Sequence, residues 1–139
     1  MSFAREIPQA IKEQCRVQVQ NFLHEISGIE FVMLCSSDGF ELATASKKNL
    51  DNHSKIAAVS SSIMAMVAAF ISEIQLVGCQ AITLDAENGK VFLSAVNHPQ
   101  FPMVLIAVTD NDLLIGQMRY HFQKLSEALA QMDFALASI

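Results

Sequence analysis

The chain has 139 residues, and no segment rich in Pro, Gly and Ser divides it, so we predict a single domain over residues 1–139. Its formal charge of −5 is spread along the chain without a basic stripe, which argues against nucleic acid as a ligand. The apolar fraction of 52% is high for so small a protein and favours a permanent interface with another chain over a free monomer.

The first predicted elements are an amphipathic helix and a β-hairpin. Pro8 suits the first turn of the helix, and Gly28 suits the left-handed conformation that ends one. Between them, apolar residues recur at spacings of three and four: Ile11, Cys15, Val19, Phe22 and Ile26. Residues 30–36 (EFVMLCS) and 40–46 (FELATAS) then form two short strands, joined by a Ser-Asp-Gly turn at 37–39.

A long apolar helix is predicted over residues 53–77, with Asp51 or Asn52 as its N-cap and Gly78 at its end. Its centre, residues 63–71 (IMAMVAAFI), has no polar side chain on any side. A helix that only covers a sheet needs one apolar stripe, so this helix needs a second apolar neighbour. We predict that a second copy of the chain supplies it, through an interface formed by Ser62, Ile63, Met66, Ala69, Phe70, Glu73, Ala81 and Thr83.

Full enclosure in the core and insertion in a membrane are less favoured roles for this helix. A helix enclosed on every side is hard to build in a domain of this size. A membrane span is also disfavoured, because the serines at 60–62 interrupt the apolar run, Lys55 and Glu73 bracket it, and no Trp or Tyr anchors it. We therefore predict no membrane insertion. The N-terminal residues lack the apolar run of a signal peptide, so we expect a cytoplasmic location.

Three strands follow the long helix. Residues 80–85 (QAITLD) and 90–96 (KVFLSAV) flank an Asn-Gly dipeptide at 88–89, the pair best suited to a two-residue hairpin turn. Residues 103–108 (MVLIAV) form the most apolar strand of the chain. We expect this strand to lie inside the sheet.

The last helix should begin at a capping box formed by Thr109 and Asp112. Its apolar residues alternate at three and four, as a helix lying along a sheet requires: Ile115, Met118, Phe122, Leu125, Leu129, Met132 and Leu136. A separate coiled coil has the same heptad pattern and is the less favoured alternative. Beyond this apolar face lie three residues that we predict to be partner contacts: Phe134, Ala137 and Ile139.

The sequence has no recognisable catalytic or cofactor site. It lacks a phosphate-binding loop and a nucleophile elbow, and residues 110–112 lack the Gly and Glu that would complete a calcium loop. The four histidines stand apart and are predicted to be exposed: His24, His53, His98 and His121. The odd number of cysteines and the lack of a C-x-x-C pair predict free, buried thiols at Cys15, Cys35 and Cys79. We therefore predict no enzymatic activity, no cofactor and no metal.

Three segments, in this order, resemble the roadblock family of small regulatory domains. They are Gly28-Ile29 followed by residues 31–43 (FVMLCSSDGFELA), the Ala/Ser-rich helix that ends in Leu76-Val77-Gly78, and the stretch from Asn88-Gly89-Lys90 to residues 115–119 (IGQMR). The resemblance covers about residues 24–130, the expected core of the domain. The family includes a dynein light chain, scaffold subunits of lysosomal signalling complexes and bacterial regulators of Ras-like GTPases, and we expect a bacterial member.

The element order α-β-β-α-β-β-β-α by itself predicts an α+β sheet with helices on both faces. The resemblance implies a five-stranded antiparallel sheet, with the middle helix on one face and the N- and C-terminal helices on the other. It also implies a dimer through the middle helix and the edge strand that follows it. The function implied is that of a non-enzymatic homodimeric regulator or scaffold that binds a Ras-like small GTPase or a related signalling or motility complex. A ligand-sensing module of similar fold is the alternative.

Overall fold

The structure is a computed structural model that describes residues 7–78, 81–113 and 115–133. Within these ranges the predicted order of elements is confirmed. The elements are α1 (Gln9–Glu25), β1 (Ile29–Ser36), β2 (Glu41–Ser46), α2 (His53–Glu73), β3 (Ile82–Ala86), β4 (Gly89–Val96), β5 (Met103–Thr109) and α3 (Ile115–Ala130).

The five strands form one antiparallel sheet in the order β2-β1-β5-β4-β3. β5 lies at the centre, between β1 and β4, as its apolar sequence predicts. Nearly all of its residues are buried, which is typical of a strand covered on both faces. β2 and β3 are the two edges of the sheet, so β3 is the edge strand that follows the middle helix.

Helices cover both faces of the sheet and divide the core into two clusters. On one face α1 and α3 pack around three aromatic rings, with the centroid of Phe122 at 6.4 Å from that of Phe22 and 6.0 Å from that of Phe92. On the other face α2 packs on a smaller cluster that includes Phe31, Met33, Leu93 and Ile106. The predicted arrangement, with the middle helix opposite the two terminal helices, is confirmed.

The end of α2 differs from the prediction. The helix ends at Glu73 instead of Val77, and Gln75 adopts a left-handed backbone with a φ of 63°. Gly78 is left-handed, with a φ of 71°, but it lies in the irregular segment after the helix and does not end the helix itself. Asn52 occupies the N-cap position without a side-chain hydrogen bond to the helix.

The prediction that Thr109 and Asp112 open the last helix is wrong, because α3 begins at Ile115. The Asp110 carboxylate instead accepts the backbone N–H of Asp112 at 3.0 Å and forms a turn before the helix. The backbone N–H of Asp110 donates to the carbonyl of Gly28 at 3.0 Å. The turn is therefore held by a contact with the α1–β1 connection, which the local sequence does not reveal.

The β3–β4 hairpin is present, but its turn is not the predicted Asn-Gly turn. Ala86 pairs with Gly89, so the two loop residues are Glu87 and Asn88. A Cβ atom at Gly89 would lie 2.5 Å from the carbonyl oxygen of Thr109. Glycine is required here by the close approach of the β5 backbone and not by a left-handed turn.

His98 is buried, which corrects the prediction that it is exposed. Its Nδ1 accepts the backbone N–H groups of Gln100 and Phe101, at 3.1 and 3.2 Å. An accepting Nδ1 places the ring proton on Nε2, which lies 2.7 Å from the carbonyl oxygen of Met132 and donates to it. His98 thus links the β4–β5 connection by hydrogen bonds to the segment that follows α3.

Replacing His98 by alanine should lower the free energy of unfolding by about 2 to 3 kcal/mol, because two backbone donors and one acceptor lose their buried partner. Urea denaturation of the purified protein measures this loss. The matched control is His24→Ala, since His24 is exposed on α1 and its loss should change stability by less than about 0.5 kcal/mol. Equal stability of the two variants would contradict the role of His98.

Candidate protein–protein interface

Only one side of α2 is packed against the sheet. The buried residues of this 21-residue helix are Ala57, Ser60 and Met64, which lie one turn apart. The thiol of Cys35 lies 3.9 Å from the carbonyl oxygen of Ala57, and a Cβ atom at Gly39 would lie 3.3 Å from the Cα of Ala58. Small residues on both sides therefore let the helix lie close to the sheet and fix which side faces outward.

The outward side of α2 carries large apolar side chains in solvent. Met66 and Phe70, one turn apart, are 64% and 62% exposed. The segment after the helix continues this pattern, and Val77 is 97% exposed. We define the α2–β3 surface as the exposed apolar residues Val59, Met66, Phe70, Ile74, Leu76, Val77 and Leu84. Monomeric domains seldom leave so many large apolar side chains of one region uncovered.

β3 adds an open strand edge to this surface. It pairs with β4 alone, and most of its residues are exposed. Ile82 and Leu84 face the α2 side of the sheet, because they pair with strand residues of the α2-side cluster. Leu84 is nevertheless exposed, since α2 lies mainly over β1, β4 and β5. The strand therefore offers both an apolar side chain and unpaired backbone groups.

None of the eight residues predicted for the dimer interface is buried. Ile63 is partly exposed, and the others are exposed on α2 or at the β3 edge: Ser62, Met66, Ala69, Phe70, Glu73, Ala81 and Thr83. The eight named residues leave out Leu84 and the apolar residues after Glu73, although the middle helix and the edge strand through which the dimer was predicted contain them. The alternation of Ile82 and Leu84 within QAITLD is the signal that could have found Leu84.

The predicted partner contacts Phe134, Ala137 and Ile139 lie outside the described residues. The nearest described residues are 131–133, which follow α3. There the carbonyl oxygen of Met132 accepts a hydrogen bond from His98.

The described cysteines are free and buried, while Cys79 lies outside the described residues. Burial raises the pKa of the Cys15 thiol to about 11. Burial, together with the carboxylates of Asp38 and Glu41, raises the pKa of the Cys35 thiol to about 12. A protonated, buried thiol is a poor nucleophile and a poor metal ligand. Within the described ranges, no group of three or more His, Cys, Asp and Glu side chains is placed to hold a metal ion.

In a Cys79→Ser variant, the two remaining thiols should resist a thiol-specific reagent at pH 8 until denaturant is added, because about one Cys15 side chain in a thousand is then ionised. The folded state holds both thiol protons more tightly than the unfolded state. The free energy of unfolding should therefore fall as the pH rises from about 9 towards 12. Rapid labelling of the folded variant would show that these thiols are accessible.

α2 also has the length and apolar composition of a membrane-spanning helix, and no other helix in the described ranges does. These two properties alone do not identify a membrane span, because they also fit a helix that another chain covers. In this fold Ala57, Ser60 and Met64 are packed on the sheet. Most other residues of α2, the segment after it and β3 form one exposed surface.

The amino-acid sequence matches the model of one known domain family. A sequence model of the Roadblock/LC7 domain matches residues 17–108, which run from within α1 to the end of β5. No curated protein matches the chain significantly. The match leaves out α3, so the similarity of that helix to the family rests on superposition of structures.

The fold is similar to several solved structures. The gliding protein MglB from Thermus thermophilus has a TM-score of 0.77 and 19% identity, covering 88% of this chain and 90% of that one. An MglB structure described as a tetrameric arrangement has a TM-score of 0.79 and 19% identity, covering 94% and 93%. A Roadblock/LC7 domain from Streptomyces avermitilis has a TM-score of 0.66 and 13% identity, covering 82% and 92%. At these identities the similarity establishes the fold.

Proposed function

Because the chain belongs to the Roadblock/LC7 domain family, whose members are generally regulatory, non-enzymatic adaptors, we propose that it is a homodimeric regulator or scaffold. Its partner in this proposal is a Ras-like small GTPase or a related signalling or motility complex in the cytoplasm. The observation that carries the proposal is the exposed α2–β3 surface. An adaptor acts through such surfaces, and a cluster of large exposed apolar side chains is typical of a protein–protein contact.

The proposed homodimer brings the α2–β3 surfaces of two copies together about a twofold axis. In such an interface each patch meets its own copy, so one self-complementary apolar stripe is sufficient. Val59, Met66 and Phe70 follow each other at spacings of seven and four and supply this stripe. Exposed alanines beside the stripe, at 65 and 69, favour close approach of the two helices, and Met66 can adapt to an irregular partner.

The β3 edge is the second part of the proposed dimer contact. Two antiparallel β3 strands pairing edge to edge would satisfy the open backbone groups and join both sheets into one. Asp85 is the one charged residue of β3, and Lys90 lies 2.9 Å from its carboxylate. This ion pair reduces the repulsion that two copies of Asp85 would otherwise meet at a shared edge.

Replacing Phe70 by glutamate should raise the dimer dissociation constant by at least about 100-fold, because the contact would bury an unpaired charge. Sedimentation equilibrium over a range of concentrations measures the change. Phe70 is largely exposed in the single chain, so the variant should keep its circular dichroism spectrum. Val17→Glu is the matched control, since Val17 is an exposed apolar residue of α1, away from α2 and β3. A wild-type protein that stays monomeric at high micromolar concentration would refute the dimer.

The GTPase partner is proposed from family membership and from what the chain lacks. The sequence has no phosphate-binding loop, so nucleotide chemistry would belong to the partner. The solved structures with the same fold include a protein named for gliding, which suggests a motility complex. Surfaces left open by the proposed dimer include exposed side chains of α1 and α3, such as Val17, Ile115 and Tyr120.

The purified chain should hydrolyse no GTP by itself, and it should bind a Ras-like GTPase encoded near its gene in one nucleotide state more tightly than in the other. Phosphate release from GTP measures hydrolysis by the chain. Fluorescence anisotropy with a labelled nucleotide analogue on the GTPase measures the binding of each nucleotide state. Equal binding of both nucleotide states would argue against a GTPase regulator.

Deleting residues 133–139 tests the predicted contacts Phe134, Ala137 and Ile139. Weaker GTPase binding at an unchanged melting temperature supports them. A lower melting temperature with unchanged binding would show that the segment contributes to the fold.

A further inference from the structure

A cavity of about 350 Å³ lies between α3 and β4, on the sheet face opposite α2. Phe92 and Phe122 line its base. Three α3 residues on successive turns form one wall, namely Arg119, Gln123 and Glu127. The cavity is within the size range of small-molecule sites and combines apolar rings with a few polar groups, as such sites do.

Two buried hydroxyls lie against this cavity. Ser94 of β4 is 4% exposed and Ser126 of α3 is 8% exposed, and their Oγ atoms are 3.3 Å apart. Both hydroxyls also reach the carbonyl oxygen of Ala95, at 3.2 and 3.4 Å. The other buried positions of α3 are apolar, and alanine at these two sites would avoid the cost of desolvating a hydroxyl. Their position therefore gives the cavity base a polar lining.

Arg119 provides a positive charge at the same cavity. Ion pairs among the described residues involve Arg16, Lys48, His53 and Lys90, and none of them involves Arg119. A guanidinium group presents a planar fork of donors that matches a carboxylate. Glu127 on the same wall accepts a hydrogen bond from the side-chain amide of Gln123 at 3.2 Å and lies near Lys124, so its charge is partly offset. Arg119 therefore favours an anionic ligand, and the two phenyl rings favour an apolar body.

We propose that this cavity binds a small organic carboxylate whose apolar body lies against Phe92 and Phe122. Arg119 holds the carboxylate, and Ser94 and Ser126 contact polar groups at the base. The proposal does not require the proposed dimer or GTPase binding, because the residues that would contact the ligand come from α3 and β4 on the sheet face opposite α2. Val77 and Ala81 border both the cavity and the proposed dimer contact, so a bound carboxylate is placed to influence self-association.

The test compares three probes that differ in one group: 4-phenylbutyrate, 4-phenylbutanol and 4-phenylbutylamine. Isothermal titration calorimetry should show millimolar or tighter binding of the carboxylate, binding of the alcohol weaker by about tenfold, and no binding of the amine. Arg119→Gln should weaken carboxylate binding by at least about tenfold. Arg16→Gln is the control, because Arg16 is an exposed arginine paired with Glu13 on α1, and it should leave binding unchanged.

Ser126→Leu is a second variant, which should narrow the cavity base beside Phe122 and weaken binding of the carboxylate and the alcohol. Should this core change impair folding, Arg119→Gln remains decisive because Arg119 is exposed and its loss leaves the core intact. Equal binding of the carboxylate and the amine, unchanged affinity in Arg119→Gln, or no carboxylate binding at about 10 mM would each overturn the proposal. Sedimentation of the same variants without probe reports separately on the dimer.

Discussion

The contact between α2 and the sheet is narrow, and it determines which apolar side chains of the helix are exposed. Ala57, Ser60 and Met64 are the buried residues of the helix, so most of its circumference faces water although its sequence is apolar throughout its centre. The burial of apolar side chains is the main force that favours folding and association. A helix that is packed on one side only can gain further from this force by meeting a second protein surface, which is why the exposed residues of α2 carry the functional proposal.

The opposite face of the sheet is organised differently, because two helices share it. α1 lies over β1 and β2, and α3 lies over β4. Neither these helices nor α2 covers β3 fully, so β3 extends past the helical layers at the edge of the sheet. The position of β3 accounts for both the exposed apolar side chain and the open cavity. On the α2 side it exposes Leu84, and on the α3 side it leaves the cavity open next to β4.

No catalytic feature is shown among the described residues. The two described thiols are buried and have raised pKa values, so neither is prepared for nucleophilic attack. What the domain offers is an apolar surface, an open strand edge and a cavity with one arginine. Val77 and Ala81 connect these features, because they border both the cavity and the proposed dimer contact. Self-association and ligand binding can therefore be coupled through few residues.

The sequence by itself determined the order of the elements, because helix and strand periodicities depend only on neighbouring residues. It also predicted that β5 lies inside the sheet and that α2 has more apolar surface than one sheet can cover. Features that depend on contacts distant in the chain were decided by the tertiary structure alone. His98 is buried and donates a hydrogen bond to the carbonyl oxygen of Met132, 34 residues later. Gly89 is required because the backbone of Thr109 approaches it. The cavity also depends on such contacts, because Ser94 of β4 lines it together with Arg119 and Ser126 of α3. Side chains from separate elements leave no periodic pattern in the sequence.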